Sequence, residues 1–145
     1  MKKALILGVM IVFSLFAVSS AFAGAGKCPQ PRKTKSAPAG TARTDKTAKA
    51  NAANGEKIYM KKAKPMACQM CHGKKGDGAG KLGKALKPGP RDFTCAATMK
   101  KVSAGQMFWI IKNGSKGTGM VAHKKTLKDK EIWDVVKYVR STFVK

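Results

Sequence analysis

Cys68-Gln69-Met70-Cys71-His72 constrains this chain more than any other stretch. Two thiols three residues apart, followed at once by an imidazole, form the C-x-x-C-H attachment signature of a c-type haem. The thiols add across the two vinyl groups of the ring, and the histidine is held beneath the iron. A bare C-x-x-C is shared with zinc sites and thiol–disulfide enzymes; the adjacent His72 sharpens the haem reading considerably. The motif occurs once. One covalent haem c is therefore expected, bound through Cys68 and Cys71, with His72 on the iron and electron transfer as the first functional expectation.

The first residues read as an address. Lys2 and Lys3 precede an apolar run from Ala4 to about Ala17, and Ala21-Phe22-Ala23 supplies a small-x-small cleavage pattern. A signal peptide over residues 1–23 is expected, with cleavage after Ala23 and delivery to the bacterial periplasm. The rival is an uncleaved anchor, for which the stretch is barely long enough at about 20 residues. Lys27 before Cys28 argues against a lipoprotein. Export fits the chemistry, because c-type haem is attached outside the cytoplasm in bacteria.

Thirty basic residues face seven acidic ones; losing Lys2 and Lys3 lowers the net charge from +23 to +21. Such a field draws in polyanions and acidic protein surfaces and speeds association with them. Redox proteins with acidic docking surfaces are the expected partners, with an anionic membrane face as a further candidate for peripheral contact. Nucleic acid binds any such cation non-specifically, but no base-reading motif is present, so no specific nucleic-acid partner is expected. The chain is expected to be monomeric.

Composition divides the chain near residue 52. Residues 24–52 hold seven Lys or Arg against one Asp, three prolines, and no aromatic, Val, Ile, Leu or Met. Such a segment buries too little apolar surface to offset its ordering entropy, and reads as a disordered basic arm or linker. From residue 53 to 145 the pattern is helical with long loops. Gly55 to about Lys62 forms a short helix. Gly76 to Gly89 is a Gly- and Lys-rich loop with at most one helical turn, closed by Pro88-Gly89-Pro90. Ser103 with Gln106 opens a helix as a capping box, and Asn113-Gly114 stops it. Thr126 with Asp129 opens a last helix of about sixteen residues, in which Ile132, Val135, Val136, Val139 and Phe143 recur at helical spacing. No strand run is visible.

This order of parts resembles a small class I cytochrome c over about residues 53–144: G-E-K-I-Y before the haem motif, C-H-G-K-K-G-D-G-A-G after it, then P-G-P-R-D-F, G-T-G-M, and the ending I-W-D-V-V-K-Y-V-R. The resemblance implies an all-α fold, three to five short helices wrapped around one covalent haem. It implies a close crossing of the first and last helices, with Gly55 and Tyr59 meeting Val135 and Tyr138. It also implies that Arg91 lies near the haem propionates. The basic arm and the extra Cys28 and Cys95 depart from the family pattern.

A thioether opposite histidine raises the potential of a haem. Six methionines remain after residue 23. Met70 sits inside the motif, Met60 and Met66 lie too near it in sequence, and Met99 and Met107 read as core packing. Met120, in Gly117-Thr118-Gly119-Met120, matches the family's ligand loop and is the expected second metal ligand. His123 is the alternative, and is expected to be a surface imidazole instead. Cys28 and Cys95 have a disulfide as their simplest fate in an oxidising compartment; a Cys₄ zinc site is the competing arrangement.

The expected function is a one-electron carrier of the periplasm and not an enzyme. The alternatives are a haem enzyme or ligand-binding haem protein with an open iron site, and a thiol–disulfide oxidoreductase using Cys68 and Cys71. No distal acid–base pair favours the former, and no alternating strand–helix pattern favours the latter.

Overall fold

The computed structural model describes residues 28–31 and 34–145. The expected signal peptide, and residues 24–27, 32 and 33 of the basic arm, lie outside them. Six α-helices occur among the described residues and no strand: α1 (Ala39–Arg43), α2 (Ala52–Lys57), α3 (Gln69–His72), α4 (Ala96–Met99), α5 (Ala104–Asn113) and α6 (Asp129–Thr142).

The crossing of α2 and α6 organises the core. The Asn51 side chain caps α2 by accepting from the Asn54 N–H at 3.1 Å. The helix then widens into a π turn over Ile58–Lys62, closed by Ala63 N–H on the Ile58 carbonyl. Gly55 sits directly against the Asp134 main chain and the Tyr138 Cβ, where no side chain fits. Tyr59 and Tyr138 meet with ring centroids 5.5 Å apart, and Phe143 packs against both. Ile58, Ile132, Val135, Val136 and Val139 fill the centre and are almost fully buried. The apolar stripe read from α6 is thus its buried face.

Asp134, itself wholly buried, ties the crossing together with polar bonds. It accepts from the Asn51 N–H at 2.7 Å and the Asn54 amide at 2.8 Å. α6 begins at Asp129, three residues after the expected Thr126. The Glu131 carboxylate takes the Lys128 N–H at 2.8 Å and closes the first turn there. Thr126 instead donates its hydroxyl to the Lys64 carbonyl at 3.0 Å. α5 starts and stops where the sequence places it. Ser103 Oγ accepts the Gln106 N–H at 3.1 Å, and Gly114, at φ +72°, donates to the Ile110 carbonyl at 2.7 Å.

Part of the basic arm is folded onto the domain. α1 lies on α5, where Gly105 lets the Thr41 carbonyl approach. Gln106 does not complete its capping box. Its side chain accepts from the Ala37 N–H at 2.7 Å and donates to the Lys35 carbonyl at 2.9 Å. Ser103 Oγ donates to the Ala42 carbonyl at 2.6 Å, and Cys28 is joined to Cys95. The expectation of an unstructured arm therefore does not hold for residues 34–52. Counting apolar side chains missed it, because backbone hydrogen bonds and one covalent link hold this segment. Among the described residues no helix is long and apolar enough to cross a membrane.

Candidate haem site

α3 is a single turn, and it sets the geometry of the motif. Cys71 N–H and His72 N–H both bond the Cys68 carbonyl, at 3.2 and 2.9 Å. The two cysteines therefore lie one turn apart on the same side. Gly73 ends the turn at φ +80°, a conformation open to glycine, and its carbonyl accepts the Tyr59 hydroxyl at 2.7 Å. The following loop folds back on α3. Gly78, Gly80 and Leu82 donate to the carbonyls of His72, Cys71 and Met70 at 2.9, 3.1 and 2.8 Å. Gly80 and Gly83 allow this close wrap, since a Cβ at either would overlap the α3 backbone. The Gly-rich sequence after the motif is thus a clamp for it.

His72 is fixed on two sides. Its Nδ1 lies 3.0 Å from the Arg91 carbonyl oxygen, to which it donates. Its ring stacks on Phe93 at 4.6 Å between centroids, 16° from parallel. Burial pushes the imidazole below its ordinary pKa, against a smaller upward pull from the Arg91 carbonyl. The ring is thus neutral at pH 7, with a proton on Nδ1 and a lone pair on Nε2, the form that binds a metal.

Cys68, Cys71, His72 and Met120 all line one mainly apolar cavity between α3, α5, α6 and the loops around Pro90 and Met120. Neither Cys68 nor Cys71 is in a disulfide. Burial pushes the Cys68 thiol up to about 11 and the Cys71 thiol up as well. The Met120 loop is internally braced. Met120 N–H donates to Thr118 Oγ1 at 3.0 Å, the Thr118 hydroxyl to the Ser115 carbonyl at 2.7 Å, and Ser115 N–H to the Met120 carbonyl at 3.0 Å. Met99 and Met107 reach the same cavity but are buried in the core.

Two free thiols one turn apart, a neutral imidazole pinned through Nδ1, and an apolar cavity with a thioether in its wall fit a covalently held haem. The Cys28–Cys95 disulfide removes two of the four sulfurs that a Cys₄ zinc site needs, and no cluster of three metal-ligating side chains occurs among the described residues.

His123 overturns its expectation as a surface imidazole. It is 3% exposed, lines the cavity, and its Nδ1 has no hydrogen-bond partner. The flanking Lys124 and Lys125 are exposed, which disguised it. Its own N–H bonds the Ile111 carbonyl at 3.0 Å, turning the backbone inward. Arg91 lines the cavity. Gln30 in the cavity wall was not legible. Its only signal was its place two residues after Cys28. Trp133 is core, stacked on Phe108 at 4.5 Å on the side facing the arm rather than the cavity.

An all-α domain closing such a cavity around a C-x-x-C-H turn defines a haem-binding electron-transfer protein. The chain belongs to the cytochrome c family, whose pattern matches residues 52–143, and is a class I c-type cytochrome. Among solved structures it is similar to a chain of the reducing HAO-like protein complex Kustc0457/Kustc0458 of Kuenenia stuttgartiensis. The match has 28% identity and a TM-score of 0.53, and covers 70% of this chain and 46% of that one. This chain thus spans less than half the length of that relative. No curated protein matches the chain.

Proposed function

We propose that this protein is a one-electron carrier of the bacterial periplasm, with one haem c bound through Cys68 and Cys71 and ligated by His72 and Met120. The observation that carries the reading is the shared cavity of these four residues, with His72 locked by the Arg91 carbonyl and Met120 by its own loop. The bound haem supplies one reversible electron. The protein's part is to hold both ligands through the redox change, keep the ring dry, and leave an edge open to partners. Met66 and Val121, which line the cavity, are more than a third exposed, so the cavity reaches the surface there. The Cys28–Cys95 disulfide supports an oxidising compartment. The raised pKa of Cys68 and Cys71 disfavours thiol–disulfide exchange, which needs an accessible thiolate.

A spectrum of the purified protein, oxidised and reduced, tests the reading. A mass raised by one haem, low-spin iron and a thioether–iron band lost in Met120→Ala are expected. A high-spin spectrum would point to an open iron site and a haem enzyme. Retention of the band in Met120→Ala would transfer the ligand role to Met107 or Met99, which reach the same cavity.

The similarity to a chain of the HAO-like complex favours a second reading, in which the domain passes electrons within a larger redox assembly. Native mass spectrometry of the protein from its own cells distinguishes a free carrier from a bound subunit.

A further inference from the structure

Gln30 stands outside the stretch that matches the family pattern, yet it reaches the haem site. The disulfide two residues earlier and a bond from its own N–H to Thr98 Oγ1, at 3.0 Å, hold it there. Its amide nitrogen donates to the Pro90 carbonyl at 3.1 Å. Its Oε1 accepts from Arg91 Nη1 at 3.1 Å and from the Asp92 N–H at 3.0 Å.

The last of these bonds matters most. The Asp92 N–H and the Arg91 carbonyl belong to one peptide unit. That carbonyl accepts the Nδ1 proton of His72 at 3.0 Å. The hydrogen bonds therefore form one chain, from His72 through a single peptide group to Gln30. An acceptor on the N–H side of a peptide polarises it and strengthens its oxygen as an acceptor. A stronger bond at Nδ1 makes the imidazole a more basic ligand.

We propose that Gln30, delivered by the disulfide-anchored arm, is a positioning residue that tunes the reduction potential of the haem through the Arg91–Asp92 peptide and His72. The inference rests on the haem reading above. A more basic His72 favours oxidised iron, so the intact chain holds the potential down, and removing Gln30 raises it.

The sign is diagnostic. An arm that merely shields the cavity does the opposite, because water admitted on its removal favours the more highly charged oxidised site and lowers the potential. Redox titration of the full-length, haem-loaded Gln30→Ala protein is the test. We expect an upward shift equivalent to about a threefold change in the reduction equilibrium, roughly 30 mV at 59 mV per tenfold for one electron. The His72 Nδ1 proton resonance of the reduced protein is expected to move upfield as its bond weakens. Ser103→Ala loosens the arm at Ala42 without touching the Arg91–Asp92 peptide or the cavity wall, and is expected to leave both readouts unchanged. A downward shift, no shift, or an equal shift in both variants overturns the role of Gln30 while leaving the haem reading intact. Purified protein lacking covalent haem overturns both.

Discussion

Gly55 presses against the main-chain carbonyl of Asp134, the tightest point of the crossing between the first helix of the haem domain and the last. A methyl group at residue 55 would overlap that carbonyl and crowd the Tyr138 Cβ. Elsewhere in a helix, Gly→Ala stabilises by about 1 kcal/mol. Here the sign is expected to reverse, because the neighbour that must yield is helix backbone. Gly55→Ala is expected to lose about 1–3 kcal/mol, read as a lower denaturant midpoint at unchanged slope. A neutral or stabilising outcome would show that α6 can slide.

The Cys28–Cys95 link closes a loop with a sequence separation of 67. Joining residues this far apart restricts the unfolded chain, and such links contribute about 2–4 kcal/mol. The Cys28→Ser/Cys95→Ser double variant is expected to lose stability of that order in guanidinium titration. Amides of residues 34–52 should exchange faster, while those of α6 keep their ranking. Equal loss of protection across the whole chain would mean that the arm is not a separate layer.

These two contacts differ in how legible they were. Gly55, Tyr59 and Tyr138 could be placed through the resemblance to small class I cytochromes c, and glycine at a crossing has a physical reason beside it, since it lets backbones approach. The Ser103 cap and the Gly114 stop were readable from local chemistry alone. The docking of residues 34–52 was not, because no apolar pattern encodes it. Its bonds run from backbone groups to Gln106, Ser103 and Asp134, three residues far away in sequence. His123 was misplaced because the charge of its neighbours says which way they face and nothing about a single residue turned inward between them. In the haem site, covalent spacing made Cys68, Cys71 and His72 evident, whereas the Arg91 carbonyl is a main-chain group that any residue could have supplied.

The buried His123 carries a pH dependence. Burial depresses its pKa below the ordinary 6.5, only partly offset by an upward pull from the Lys64 backbone. Below about pH 6.5 the unfolded chain takes up a proton that the folded protein refuses, so stability rises with pH through this window and falls on acidification. His123→Phe is expected to flatten the decline between about pH 7 and about pH 5 when melting temperature is followed against pH. A steeper decline in the variant would show that the imidazole is charged in the fold and held by a partner.

Three pairs of exposed lysines lie within three residues of the haem cavity's wall in sequence. Lys124 and Lys125 follow the cavity-lining His123, Lys74 and Lys75 follow the motif, and Lys100 and Lys101 follow Met99; all six are exposed. Electrostatic steering acts on the encounter, so it changes the association rate more than the lifetime of the complex, and it is screened over roughly 8 Å at physiological salt. Stopped-flow electron transfer to a small redox protein of net negative charge is therefore expected to slow as salt rises. Lys124→Glu/Lys125→Glu is expected to reduce the low-salt rate several-fold and flatten the salt dependence. Lys46→Glu makes the sharper control. Lys46 lines the cleft between α1, α5 and α6, which shares no residue with the haem cavity. A single reversal there changes the net charge as one reversal at Lys124 or Lys125 does, but should leave the rate nearly unchanged. If Lys46→Glu slows the reaction as much, per charge, as the double variant, then total charge and not a surface around the haem edge governs the encounter.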